Sequence, residues 1–146
     1  MDLAFLLAHT SHVLSTELTA ELASVGITPR GQCVLASALT GEKTQIQLAE
    51  MCQLDKTTMV VTVDELEKAG LVERQTSASD RRARIIVVTP LGRKIHDAAQ
   101  DVVARVYEDV LSTLPEREAF ISGLTRLAEN RLSTPVACQR APRRRM

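Results

Sequence analysis

The chain has 146 residues, 45% of them hydrophobic and 25% charged, with a formal net charge of +0. This length suits one domain, and this composition excludes a disordered chain, a collagen-like repeat and a membrane protein, because no apolar run approaches the ~20 residues that span a bilayer. Aromatic residues are only 2% of the chain, which excludes RNA-binding surfaces that stack bases on rings.

The chain opens Met1-Asp2 without a basic segment, so a secretory signal is not expected. Cys33, Cys52 and Cys138 are widely spaced and form no CxxC pair, as in a reduced, cytoplasmic protein. The neutral total hides an uneven distribution. The last fifteen residues carry Arg140, Arg143, Arg144 and Arg145 and no acid, which leaves 14 basic against 18 acidic side chains in the rest, a balance of −4. Within that acidic body one segment is basic. From Arg74 to Arg84 there are four arginines (Arg74, Arg81, Arg82, Arg84) and one acid, Asp80, or +3 over eleven residues.

In chain order, Leu3, Leu7, Leu14, Leu18, Leu22 and Val25 recur at helical spacing and predict a helix over 3–24, with Gly26 beyond its end. Thr28-Pro29 is an N-cap followed by proline at the first helical position, and predicts a second helix to about Leu39. Thr44 and Gln47 fit a capping box, opening a short helix with Ile46, Leu48, Ala49 and Cys52 on or near its buried side. Gln53-Leu54 reads as a tight turn. Asp55 then caps a helix over 56–69, with Met59, Val63 and Leu66 pointing inward and Gly70 beyond the last turn. The period now changes. Residues 71–76 and the β-branched run 85–89 predict two strands joined by a polar loop. A long helix over 91–111 follows, with Leu91, Ile95, Ala98, Val102, Val106 and Val110 as its apolar stripe. Thr113, with Glu116 three residues on, predicts the cap of a last helix ending near Arg131 and lined by Phe120, Leu124 and Leu127. Residues 133–146 read as a basic tail.

Two short helices joined by a tight turn, followed by a hairpin with a basic tip, form a winged helix-turn-helix. The fold class is therefore mainly α with a small β-hairpin. The second helix of the pair is sized for a DNA major groove. Its first turns offer Lys56, Thr57, Thr58 and Thr62, and free N–H groups at a helix start favour phosphate oxygens. Arginine at a wing tip suits the negative potential of a narrow minor groove, and the expected DNA-binding residues of the hairpin are Arg74, Asp80, Arg81, Arg82 and Arg84. The competing reading is a winged-helix protein-interaction module, against which the basic tip argues.

The chain resembles the MarR-type transcriptional regulators over about residues 3–132. The resemblance rests on Leu66-Glu67-Lys68-Ala69-Gly70-Leu71-Val72-Glu73-Arg74, on Asp80-Arg81-Arg82-Ala83, on Val88-Thr89-Pro90-Leu91-Gly92 and on Gly26-Ile27-Thr28. It implies a homodimer on a double-stranded pseudo-palindrome, with dimerisation helices at 1–25 and 91–132 flanking a DNA-binding lobe at 29–90. It also implies that Arg82 enters the minor groove with Asp80 as its orienting partner, while Arg81 and Arg84 meet phosphates. Many members carry arginine where this chain has Val61, and valine offers only apolar contact, for instance to a thymine methyl. The resemblance further implies a repressor released by a small aromatic or other organic anion. His9 and His12, three residues apart, and Arg30 are the candidate effector residues. A redox- or metal-responsive regulator is the alternative. Cys33 and Cys52 read as small core residues, however, and four metal ligands are hard to assemble. No cofactor is expected. The chain has no HExxH, GxSxG, GxGxxG or P-loop pattern, so an enzyme is not expected either.

Overall fold

The computed structural model describes residues 2–132, and the expected tail lies outside them. The elements are α1 (Leu3–Ala23), α2 (Pro29–Ala38), α3 (Gln45–Met51), α4 (Lys56–Lys68), β1 (Val72–Thr76), β2 (Arg84–Val88), α5 (Pro90–Ser112) and α6 (Arg117–Arg126). A single π-helical turn, Leu127–Arg131, follows α6. The chain divides after Tyr107 into two compact units.

Capping chemistry fixes most helix starts. Thr28 accepts from the Gly31 N–H and Pro29 stands at the first helical position. Thr44 and Gln47 form the reciprocal capping box, with the Thr44 N–H donating to Gln47 Oε1 at 2.9 Å. Asp55 accepts from the Thr58 N–H at 2.9 Å and from the Thr58 hydroxyl at 2.6 Å. Asp2 caps α1 in the same way through the Phe5 N–H. Gly70 ends α4 with φ +74, a left-handed conformation that a Cβ disfavours.

The core of the first unit is aliphatic. Leu22 of α1, Val34 and Leu35 of α2, Leu48 of α3, Met59, Val63 and Leu66 of α4, Val72, Ile86 and Val88 of the hairpin, and Ala99 and Val102 of α5 pack together. The strands pair antiparallel with Val72 opposite Val88 and Thr76 opposite Arg84. The hairpin is anchored to the segment before α3 by a bridge between Thr44 and Ile85 and by the Ile86 N–H donating to the Lys43 carbonyl at 3.0 Å. Where the hairpin meets α5, the Thr89 hydroxyl donates to the Gly70 carbonyl at 2.7 Å and accepts from the Gly92 N–H at 3.0 Å. One side chain thus ties the turn after α4 to the start of α5. Deeper, Gln32 of α2 donates to Nδ1 of the buried His96 of α5 at 3.0 Å. Gln32 Oε1 is buried without a hydrogen-bond partner among the described residues.

Several expectations need correction. Ile46 is 71% exposed, because α3 is seven residues long and turns only Leu48 fully inward, about half a helical turn away. Leu91 and Val110 of the expected α5 stripe are exposed. Cys33 is exposed and Cys52 only half-buried. Thr113 does not cap α6. Its hydroxyl donates back to the Val110 carbonyl at 2.8 Å, and α6 begins later, after Glu116, without a side-chain cap.

The Asp55 cap gives a pH prediction. Hydrogen bonds from the Thr58 hydroxyl and N–H hold its carboxyl below the ordinary value of 3.8. In the unfolded chain the carboxyl takes up a proton more readily than in the folded chain, so its stabilisation rises with pH. It is full well above 3.8 and is lost as pH falls from there through the lowered folded value. Urea unfolding should show Asp55→Ala less stable than wild type at pH 7, with the gap shrinking at pH 3. A gap equally wide at both would contradict this origin.

Candidate nucleic-acid interface

The hairpin carries its charge in two different ways. At its root, Arg74 reaches back to α4, where its guanidinium pairs with Asp64 at 2.5 Å and with Glu67. The Arg74 N–H also donates to Glu67, at 3.2 Å. This arginine is a clamp between β1 and α4, and its charge is balanced twice over. At the tip, Arg81, Arg82 and Arg84 are exposed and have no carboxylate partner among the described residues.

Local hydrogen bonds shape the loop that holds them. Asp80 Oδ1 accepts from the Arg82 N–H at 2.9 Å, and the Ala83 N–H donates to the Asp80 carbonyl at 3.0 Å. Asp80 therefore orients the backbone at Arg82 and leaves the guanidinium free. At the loop's start, buried Ser77 donates to Glu42 Oε2 at 3.1 Å and accepts from the Ser79 N–H at 3.2 Å.

On α4, Lys56 and Thr57 are exposed and Thr58 is half-buried, its hydroxyl taken by Asp55. Thr62 departs from expectation. It is buried, and its hydroxyl donates to the Thr58 carbonyl at 2.7 Å, so it has no free donor for DNA. Arg74 departs likewise, being held by Asp64 and Glu67. The exposed interface is thus the first turn of α4, the outward face that includes Val60 and Val61, and the three tip arginines.

The effector candidates do not come together. Arg30 lines an open cleft of about 680 Å³ with Ser15 and Thr19 of α1 and Thr57, Val61 and Glu65 of α4. His9 and His12 do not line it. Both are exposed on α1, and His9 stacks on Phe5 with ring centroids 5.6 Å apart. The cleft and the outward face of α4 share Thr57 and Val61, which the spacing of single residues in the sequence did not reveal. Among the described residues no three His, Cys, Asp or Glu side chains gather as metal ligands would. Partial burial pushes the Cys33 thiol up to about 11, and neighbouring Cys52 adds to the shift. A thiol so rarely ionised at neutral pH is a poor nucleophile.

Comparison with known proteins fits this geometry. Residues 25–83 match the family model described as MarR family. The structure of CouR from Rhodococcus jostii RHA1 bound to p-coumaroyl-CoA is 27% identical with a TM-score of 0.78, over 94% of this chain and 96% of that one. The transcriptional repressor CouR bound to a 23-mer DNA duplex is 29% identical with a TM-score of 0.77, over 88% and 91%. A MarR-family transcriptional regulator from Rhodococcus sp. RHA1 is 26% identical with a TM-score of 0.77, over 92% and 96%. No helix among the described residues is long and apolar enough to cross a membrane.

Proposed function

We propose that this chain, whose residues 25–83 match the MarR family model and whose fold is similar to that of solved transcriptional regulators, is a homodimeric repressor of pseudo-palindromic double-stranded sites, released by an organic anion. The observation that carries the reading is the set of exposed tip arginines, Arg81, Arg82 and Arg84, on the hairpin that follows α4. In each half-site α4 enters the major groove, with Lys56 and the α4 N-terminus on phosphates, and Arg82 enters the adjacent minor groove. Residues 29–90 form the DNA-binding lobe, and 1–25 with 91–132 form the dimer. The dimer is supported by apolar side chains left uncovered on α1 (Leu3, Phe5, Leu6, Val13) and, separately, on α6 (Phe120, Ile121). Two copies bury such faces and set two recognition helices on one side of a duplex.

Arg30 supplies the cation for an effector carboxylate or phosphate in the α1–α2–α4 cleft. The ligand seen with CouR, p-coumaroyl-CoA, is an anionic aromatic acyl thioester, and the proposed effector belongs to that broad class. Because the cleft borders Thr57 and Val61, effector and DNA weaken each other by one common factor.

The reading is tested by fluorescence anisotropy with duplexes from the regulator's own upstream region. Affinity should fall linearly on a log–log plot with salt, by roughly 0.9 per phosphate neutralised. Affinity indifferent to a tenfold change in salt would sink the DNA assignment. For the effector, p-coumaroyl-CoA and free aromatic acids are screened by thermal shift with and without duplex. A ligand that stabilises both forms equally, and binds Arg30→Ala as well as wild type, would refute the release mechanism.

A further inference from the structure

Thr57, Val60, Val61 and Asp64 stand at i, i+3, i+4 and i+7 and share one exposed face of α4. Val60 is 36% exposed and Val61 51%. The opposite face, Met59, Val63 and Leu66, is in the core. What this exposed face lacks is as informative as what it holds. Guanine is read by arginine or lysine, adenine by asparagine or glutamine. None of these stands among the four.

Of the polar groups on and around this face, the Thr57 hydroxyl is exposed and most of the others are already engaged. Asp64 is paired with Arg74 at 2.5 Å. The Thr58 hydroxyl is held by Asp55, and that of Thr62 by the Thr58 carbonyl. The side-chain oxygens of Gln45 and Gln47, at the start of α3, are occupied as well, so neither offers a free donor–acceptor pair to an adenine. Gln47 Oε1 closes the Thr44 cap, and Gln45 Oε1 accepts from Arg74 at 3.4 Å. Lys56 precedes this face on the first turn, and Lys68 lies on the last turn, about 10 Å along the helix axis from Val61. The middle of the recognition surface therefore presents methyl groups, those of Val60 and Val61 with the methyl of Thr57 beside them.

In a major groove the base-edge group that matches a methyl is the C5-methyl of thymine. We infer that Val60 and Val61 set the operator preference by packing against thymine methyls, so that this regulator reads thymine by shape and apolar contact where a hydrogen-bonding helix would read guanine. The inference rests on the DNA-binding reading above. Each thymine methyl covered contributes a factor of about four in affinity, the worth of one buried methylene-sized group.

The test removes that methyl and nothing else. Duplexes are selected from a randomised pool with the full chain, and the best site is synthesised once with thymine and once with deoxyuridine at every thymine. Wild type should bind the deoxyuridine duplex more weakly, by about fourfold for each contacted methyl. In the double variant Val60→Ala, Val61→Ala the ratio between the two duplexes should fall toward one. Both positions are solvent-facing, and circular dichroism confirms that the variant is folded. Arg82→Ala should weaken both duplexes while keeping the wild-type ratio. Equal wild-type affinity for the two duplexes overturns the inference and leaves DNA binding intact. A ratio that survives unchanged in the double variant also overturns it, because the methyl then acts through duplex shape. Failure to select any duplex overturns the DNA-binding reading and this inference together.

Discussion

Replacing Gly92 by alanine is expected to lower the unfolding free energy by about 3 kcal/mol, the upper range for a forced overpacking. In an open helix the same change stabilises by up to ~1 kcal/mol, because alanine is the better helix former. Here the sign reverses because of what the new methyl meets. A Cβ on Gly92 would fall well inside van der Waals contact with the Leu71 carbonyl oxygen and 2.8 Å from Val88 Cγ1. The carbonyl is backbone, and it already accepts from the Thr89 N–H at 3.0 Å, so it has nowhere to retreat. The first turn of α5 must then lift from the hairpin, straining the Thr89 hydroxyl bridge between Gly70 and Gly92. Gly31→Ala is the control. Its nearest neighbours, Ile27 Cγ1 at 2.9 Å and Leu66 Cδ2 at 3.2 Å, are core side-chain atoms and not backbone, so its cost should be the smaller of the two. Urea unfolding at one fixed protein concentration measures both variants, since the proposed dimer would make stability concentration-dependent. A Gly92→Ala protein as stable as wild type, or no less stable than Gly31→Ala, would show that α5 and the hairpin are not in tight register.

The second large effect belongs to the wing. Arg82→Ala should weaken DNA binding by roughly 1–3 kcal/mol per subunit, and a dimer loses two such contacts. The fold should not notice, because the guanidinium has no ion-pair partner among the described residues and the loop is held by Asp80 through the backbone. Arg74→Ala should behave the other way round. It removes the pairs to Asp64 and Glu67 and leaves two neighbouring carboxylates without their cation, at a cost of about 1 kcal/mol in stability for this partly exposed network. Anisotropy with duplex DNA and urea unfolding on the same samples separate the two arginines. Equal loss of DNA affinity for both variants, at unchanged stability, would show that Arg74 also meets DNA.

What was legible in the sequence follows how local each interaction is. Thr28, Thr44 and Asp55 cap helices through groups three residues away, and the sequence alone placed all three. Gly70 was legible for the same reason, as a left-handed residue straight after a helical period. Thr89-Pro90 repeats the dipeptide of Thr28-Pro29 and caps α5 just as Thr28 caps α2, yet it reads as a strand ending because the β-branched run before it dominates. Thr113 misleads for a related reason. A threonine three residues before a glutamate fits both a helix start and the tail of the preceding helix, and here the Val110 carbonyl wins. Long-range pairing was beyond reach. A count of charges between Arg74 and Arg84 cannot see that Asp64 and Glu67, upstream on another element, cancel the first of them. Nor can periodicity show that Arg30 shares a cleft with Thr57 and Val61, while His9 and His12 do not.

Neutralising Arg74 at the root of the hairpin, and leaving Arg81, Arg82 and Arg84 bare at its tip, has a kinetic consequence. Residues 1–131 carry four more acids than bases, so most of that body repels a polyanion at long range. Within these residues Arg81, Arg82 and Arg84 concentrate positive charge at the hairpin tip, and Arg140 with Arg143 to Arg145 add more near the end of the chain. A duplex diffusing past is expected to turn toward that concentration of charge, because encounters led by it are more favourable than encounters on the acidic faces. Collisions on other faces are shed quickly, which shortens the time lost to unproductive encounters. The association rate should fall with ionic strength as this orienting field is screened over about 8 Å at physiological salt. Moving the same three charges to the hairpin root, at constant net charge, would slow capture even if the final complex were equally tight.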